Sequence, residues 1–227
     1  MMKYYIITYT GKPIGESGEI CDTNYNLERA CKTCGTGATI IGSLRTKRLG
    51  SVKKNCFQTI DGDTLISEKL YKIFNKKCVK IGGLKKVLDI NGNELPFYHL
   101  YTDFFLPKAT MKMGLILENQ CKTCERNGFF NDVIIGNLEK NIDTIVAPIM
   151  LTYTNLKFDF LNQSDIFNTW EHMGLSCLET KGRNERRFAR PLLIVSERLR
   201  SLMVEEKIGG IKYEDVKFRV CKLNSVR

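Results

Sequence analysis

Histidine is almost missing from this chain. Only His99 and His172 occur among 227 residues, which excludes a metal or proton-transfer site built from clustered imidazoles. His99 stands in the aromatic run Phe97-Tyr98-His99-Leu100-Tyr101, and His172 in Trp170-Glu171-His172-Met173. Neither has a partner at motif spacing, and both read as satisfied structural histidines. G-x-S-x-G, H-E-x-x-H and P-loop motifs are absent, and the carboxylates form no evident pair, so a non-enzymatic protein is expected. No apolar run approaches the roughly 20 residues of a membrane helix. The first ten residues lack the apolar core and small-residue cleavage site of a signal peptide. A cytoplasmic location without membrane contact is therefore expected. Proline is scarce, at five residues, and no low-complexity stretch or linker interrupts the chain. One domain spanning 1–227 is expected.

What is present suffices for a sizeable core. Hydrophobic residues make up 43% and charged residues 26%, ordinary values for a globular protein. The formal net charge is +10, spread along the chain without a basic tail. Such a charge suits nucleic acid or an acidic protein partner, and it equally suits a solvated basic surface. One denser segment runs from Lys181 to Arg190. Arg183, Arg186, Arg187 and Arg190 are candidates for a partner-binding surface, because arginine forks pair with carboxylates and arginine is enriched at interface hot spots. The same segment also fits an exposed loop running into a strand.

An internal repeat organises the chain. Residues 64–85 read TLISEKLYKIFNKKCVKIGGLK and residues 193–212 read LIVSERLRSLMVEEKIGGIK. Each copy begins with a short β-prone run, Leu65-Ile66 or Leu193-Ile194-Val195. Ser67 or Ser196 then stands where an N-cap is needed, with Glu68 or Glu197 at the positive end of the helix dipole. Leu70, Ile73 and Phe74, like Leu199, Leu202 and Met203, fall at i, i+3 and i+4 on one stripe. Gly82-Gly83 and Gly209-Gly210 are expected to stop the helices before a second strand. The fold class expected is α+β: two related strand-helix-strand units, in halves of about 1–120 and 121–227, joined around a zinc-ribbon-like site of four cysteines. Strands are expected over 3–10, 38–44, 97–106, 112–117, 142–147, 150–160, 187–195 and 214–221. Ser164 is expected to cap a further helix carrying Ile166, Phe167, Trp170 and Met173 and ended by Gly174.

The chemistry lies in the cysteines. Nine occur, and in a reducing compartment paired C-x-x-C spacing argues for metal or redox chemistry rather than a disulfide frame. Cys31-Lys32-Thr33-Cys34-Gly35 and Cys121-Lys122-Thr123-Cys124-Glu125 each place two thiols two residues apart. A tight turn aims both sulfurs at one ion, and two such turns complete a tetrahedral site of four thiolates. The pairs are 86 residues apart, which loop closure tolerates because its cost rises slowly with length. Two alternatives are a thioredoxin-like dithiol, for which Gly35-Thr36-Gly37 and Asn127-Gly128 are poor helix starts, and intrapair disulfides, which would be strained and disfavoured in a reducing cytoplasm. One structural Zn2+ on Cys31, Cys34, Cys121 and Cys124 is therefore expected, with 31–35 and 121–125 as the two knuckles. Cys21, Cys56, Cys78, Cys177 and Cys221 lack such spacing, and most read as small buried hydrophobes.

The order of these features is specific. A C-x-x-C-G precedes a glycine-ended S-E-x-L helix, a second C-x-x-C lies mid-chain, and Ser164-Asp165-Ile166-Phe167 leads to the closing unit Leu193–Ile211. From about Cys31 to Val220 the chain resembles the double-CxxCG motif family of myxobacterial paralogues, whose members include immunity proteins of contact-delivered toxin systems. Glu125 departs from the family's glycine. The resemblance implies a bacterial, non-enzymatic zinc-ribbon protein that binds and neutralises a cognate polymorphic protein toxin. A zinc-ribbon nucleic-acid binder is the other reading, from the +10 charge and aromatics such as Phe57, Tyr98 and Tyr101.

Overall fold

The computed structural model describes residues 3–50, 52–134, 145–154, 156, 158–178 and 186–219. Two sheets carry the α+β fold. The first has the order β2 (Glu16–Ser17), β5 (Arg45–Lys47), β8 (Lys85–Asp89), β9 (Glu94–His99), β7 (Thr64–Ser67), β6 (Cys56–Gln58). The second has the order β10 (Met111–Met113), β15 (Met150–Thr154), β18 (Ile211–Arg219), β1 (Tyr4–Tyr9), β17 (Arg190–Ser196), β16 (Ile166–Met173), β12 (Phe129–Asn131), β11 (Leu115–Leu117). Helix α1 (Glu68–Lys76) leaves β7, the short α2 (Phe158–Leu161) follows β15, and α3 (Glu197–Glu205) leaves β17. Two small hairpins pair β3 (Tyr25–Asn26) with β4 (Thr39–Ile40), and β13 (Val133–Ile134) with β14 (Ile145–Val146).

The six strands of the first sheet match six of the second in order and direction. β5 lies parallel to β8 as β15 does to β18. β9 runs antiparallel between β7 and β8, as β1 does between β17 and β18. The outer pairs β2–β5 and β10–β15, and β6–β7 and β16–β17, are all antiparallel. The N-terminal strand therefore stands, within the sheet formed by residues 111–219, where β9 stands in the other. Gly114 alone separates β10 from β11, the two edges of the second sheet, and brings them together at one corner. Its φ is +73°, and a Cβ there would lie 2.1 Å from the Pro148 carbonyl oxygen, so only glycine fits.

The helices begin as their caps dictate. Ser67 and Ser196 accept from Leu70 N–H at 3.2 Å and from Leu199 N–H at 3.1 Å. Each serine is braced alike by the residue that precedes the neighbouring strand. Its own N–H bonds the carbonyl of Asn55 or Asp165, and its hydroxyl donates to the same residue's side chain. Leu70 and Phe74 of α1 join Leu199, Leu202 and Met203 of α3 in one apolar cluster with Ile66, Ile7 and Val195. The opposite face of each sheet has its own cluster, around Leu65, Phe57 and Phe97 in one and Ile6, Phe167 and Ile194 in the other.

Several expectations need correction. The glycine pairs do not stop the helices. α1 and α3 close on Cys78 and Lys207, both at positive φ, and Val79 N–H and Ile208 N–H bond back to the Phe74 and Met203 carbonyls, a Schellman closure without glycine. The helix expected after Ser164 is strand β16. Ser164 Oγ accepts from Ile166 N–H in a tight turn, and six of the eight strand residues are buried, so both faces of the strand are covered. The strand expected over 97–106 ends at His99, that over 112–117 breaks at Gly114, and that over 150–160 gives way to α2. Residues 142–144 and 220–221 lie outside the described residues.

Candidate metal centre

Each C-x-x-C knuckle sits at the tip of a two-stranded support. β3 and β4 flank Cys31–Gly35, and β11 and β12 flank Cys121–Glu125. The turns close identically, with Gly35 N–H bonding the Cys31 carbonyl at 2.7 Å and Glu125 N–H bonding the Cys121 carbonyl at 2.8 Å. Both fifth residues have left-handed backbone, φ +80° at Gly35 and +53° at Glu125. Glu125 thus adopts the conformation that glycine supplies in the first knuckle, and its carboxylate pairs with Lys108 at 2.8 Å.

The fold brings all four sulfurs within 4.8 Å of one another. Cys31 Sγ lies 4.0 Å from Cys121 Sγ, and Cys34 Sγ lies 3.7 Å from Cys124 Sγ. Thr33 and Thr123 touch through their hydroxyls at 2.9 Å. Every one of these contacts joins a residue to its equivalent in the other knuckle, so a local twofold axis passes through the cluster. A disulfide would need sulfurs about 2.05 Å apart. Metal–sulfur bonds of about 2.3 Å in a tetrahedron place sulfurs about 3.8 Å apart, which is the spacing found. These four cysteines can hold one metal ion.

The surroundings favour thiolates at the first cysteine of each knuckle. Burial opposes ionisation of Cys121, but N–H groups of Cys124 and Thr123 outweigh it and bring the thiol down to about 7. Cys31 is lowered by the same arrangement, against its own burial, through Cys34 and Thr33 N–H groups. Burial raises Cys34, and Cys124 up to about 12. Four thiolates around a divalent ion leave two negative charges. Burial lowers Arg126, half-buried two residues past Cys124, and the Cys124, Cys34 and Cys31 sulfurs act in the opposite sense. Nothing in the sequence marked Arg126; only its position after the second knuckle hinted at it.

The remaining candidates disperse. Arg186 and Arg187 are exposed, and Arg183 lies outside the described residues. Arg190 is not offered at a surface: it turns inward as the tie between the sheets. Its guanidinium bonds both oxygens of Asp63 at 2.9 and 3.2 Å, both oxygens of Glu19 at 3.1 Å, and the Phe188 carbonyl and Tyr25 hydroxyl. The surrounding carboxylates hold it charged, against the cost of burial. His99 and His172 are both buried, and burial lowers them to about 4 and about 3. Of the other cysteines, Cys21 and Cys56 are buried, Cys177 is partly so and Cys78 is exposed; Cys221 lies outside the described residues. Among those residues no helix is long and apolar enough to cross a membrane. No family model matches the chain, and no curated protein matches it either.

Proposed function

We propose that this protein is built from two related α+β units clamped together by one structural Zn2+ on Cys31, Cys34, Cys121 and Cys124, and that it acts by binding a protein toxin rather than by turnover. The four-sulfur geometry carries the metal reading. Four protein ligands fill a tetrahedral shell and leave no position for water or substrate, so the ion serves the fold. Zinc suits an all-thiolate tetrahedron. The matched strand orders and the twofold contacts across the cluster support two related units. The immunity role rests on the resemblance of the motif order to the double-CxxCG family and on the absence of any catalytic motif.

The experiment is co-expression with any protein toxin whose gene adjoins the one for this chain. Protection should survive substitution of His99 and His172 in variants that still fold, and should fall when Cys34→Ser releases the metal. A histidine that proves essential while folding and toxin binding persist would replace this reading with an enzymatic antidote. Salt-sensitive binding to mixed nucleic acid without toxin binding would replace it with a nucleic-acid role.

A further inference from the structure

Between the two sheets lies a cavity of about 550 Å³, in the size range of small-molecule sites. The first sheet contributes Asp63 and His99, the second contributes Asn168 and His172, and the first knuckle's hairpin contributes Ala38. The cation deepest in its wall, Arg190, has every N–H engaged by the partners described above, so it cannot answer a ligand.

Of the groups left over, Asp61 and the two imidazoles offer acceptors, beside the exposed Arg187 and the Tyr101 hydroxyl, which has no hydrogen-bond partner among the described residues. His172 is 2% exposed and its Nδ1 lies 2.8 Å from the Trp170 carbonyl. A carbonyl only accepts, so Nδ1 carries the proton. The ring is neutral, because burial and then the Arg126 charge lower it to about 3. Nε2 is thus a bare acceptor, without a hydrogen-bond partner among the described residues. The ring of His99, a residue 6% exposed, likewise makes no hydrogen bond among them; its Nε2 stands 3.6 Å from Asp63, beyond hydrogen-bond range. Asp61 accepts from Ser17 N–H at 2.8 Å through one oxygen, and no cation among the described residues contacts its other oxygen. Aromatic rings of Tyr25, Tyr101, Phe105 and Phe130 complete the walls. Three carboxylates, Glu19, Asp61 and Asp63, face two arginines, Arg187 and Arg190, so the local charge runs against the +10 of the whole chain.

We propose that this cavity binds a small planar organic cation of the guanidinium or amidinium class, its N–H groups donating to Asp61 and His172 and its face lying against the aromatic walls. Aromatic faces and an unpaired carboxylate are the chemistry that selects such cations. The proposal is independent of the toxin reading and leaves the zinc clamp as described.

Calorimetric titration of the full, metal-loaded chain tests it, with benzamidine, agmatine, neutral benzamide and anionic benzoate as probes. Benzamidine should bind at least tenfold more tightly than benzamide, and benzoate should not bind. Asp61→Asn keeps an oxygen for the Ser17 N–H and should weaken benzamidine at least tenfold with little change in melting temperature. If that variant does not fold, Ala38→Phe, which fills the cavity from the hairpin side, should abolish binding. A guanidinium can also arrive on a partner's arginine. A glycine-flanked arginine peptide binding as well as agmatine points to that source, and agmatine binding alone points to a free molecule. Equal affinity for benzamidine and benzamide, or binding indifferent to both substitutions, overturns the proposal, as does no binding at millimolar benzamidine.

Discussion

The fifth residue of each knuckle shows how one backbone requirement is met by two side chains. Gly35 adopts φ +80° with Phe188 and Leu178 pressed against its missing side chain, 2.5 and 2.7 Å from where a Cβ would sit. Gly35→Ala should therefore cost about 2 kcal/mol or more, the sum of left-handed strain and overpacking. Glu125 already bears that strain, and its exposed pair with Lys108 is worth little. Glu125→Gly should change stability by no more than about 1 kcal/mol, because relief of strain is offset by glycine's backbone entropy. Denaturant unfolding of the metal-loaded variants measures both. A second residue-scale consequence concerns pH. His99, beside Asp63, Arg190 and Lys85, and His172, beside Arg126 and Arg190, have folded values lowered to about 4 and about 3 from about 6.5. The unfolded chain binds their protons first, so their contribution is fully present above 6.5 and is lost as pH falls towards the folded values. At pH 5 each should have withdrawn about 2 kcal/mol relative to pH 7 or above. Acid also releases zinc from thiolates, so the discriminating measurement is the slope of stability against pH in His172→Gln. That slope should be shallower than in the unaltered chain; an unchanged slope contradicts the assignment.

At the scale of elements, α1 and α3 were legible because local chemistry and packing agree. A serine cap, a following glutamate and a 3.6-residue stripe all point to one helix, and Leu70 and Leu199, each the third residue of its helix, are both buried, at 1% and 0% exposure. Leu199→Ala should cost about 2–5 kcal/mol by thermal or denaturant unfolding, and Leu70→Ala a comparable amount, since both open the same cluster. A cost under about 1 kcal/mol at either would show that the helices do not share that core. β16 was illegible for a physical reason. Covered on both faces, it lacks the alternation that betrays a half-exposed strand, and Ser164 ahead of it imitates a cap. The brace from Asn55 and Asp165 onto the cap serines could not be read either, because two different side chains at unlike sequence distances perform it.

For the whole molecule, the sequence spelled out the four cysteines that can hold a metal ion and hid the architecture that unites them. Both knuckles are explicit as C-K-T-C, but their meeting depends on two hairpins emerging at matching places from two sheets of matching strand order. That the first strand lies inside the second sheet leaves no local trace, since β1, with Tyr4–Ile7 buried on both faces, carries nothing that names the strands it pairs with. Arg190 was misplaced for the same reason: its neighbours Arg186 and Arg187 are exposed, and only tertiary structure supplies Glu19 and Asp63. The cavity likewise exists only where the sheets face each other. A single ion shared by knuckles whose equivalent cysteines are 90 residues apart is what the geometry of the four sulfurs supports. Metal analysis of the purified chain, repeated for Cys34→Ser and Cys124→Ser, tests it most directly. One zinc per chain is expected, lost entirely in either variant together with several kcal/mol of stability; two ions per chain, none in carefully prepared protein, or half the metal retained when one knuckle is broken would rule out the shared site.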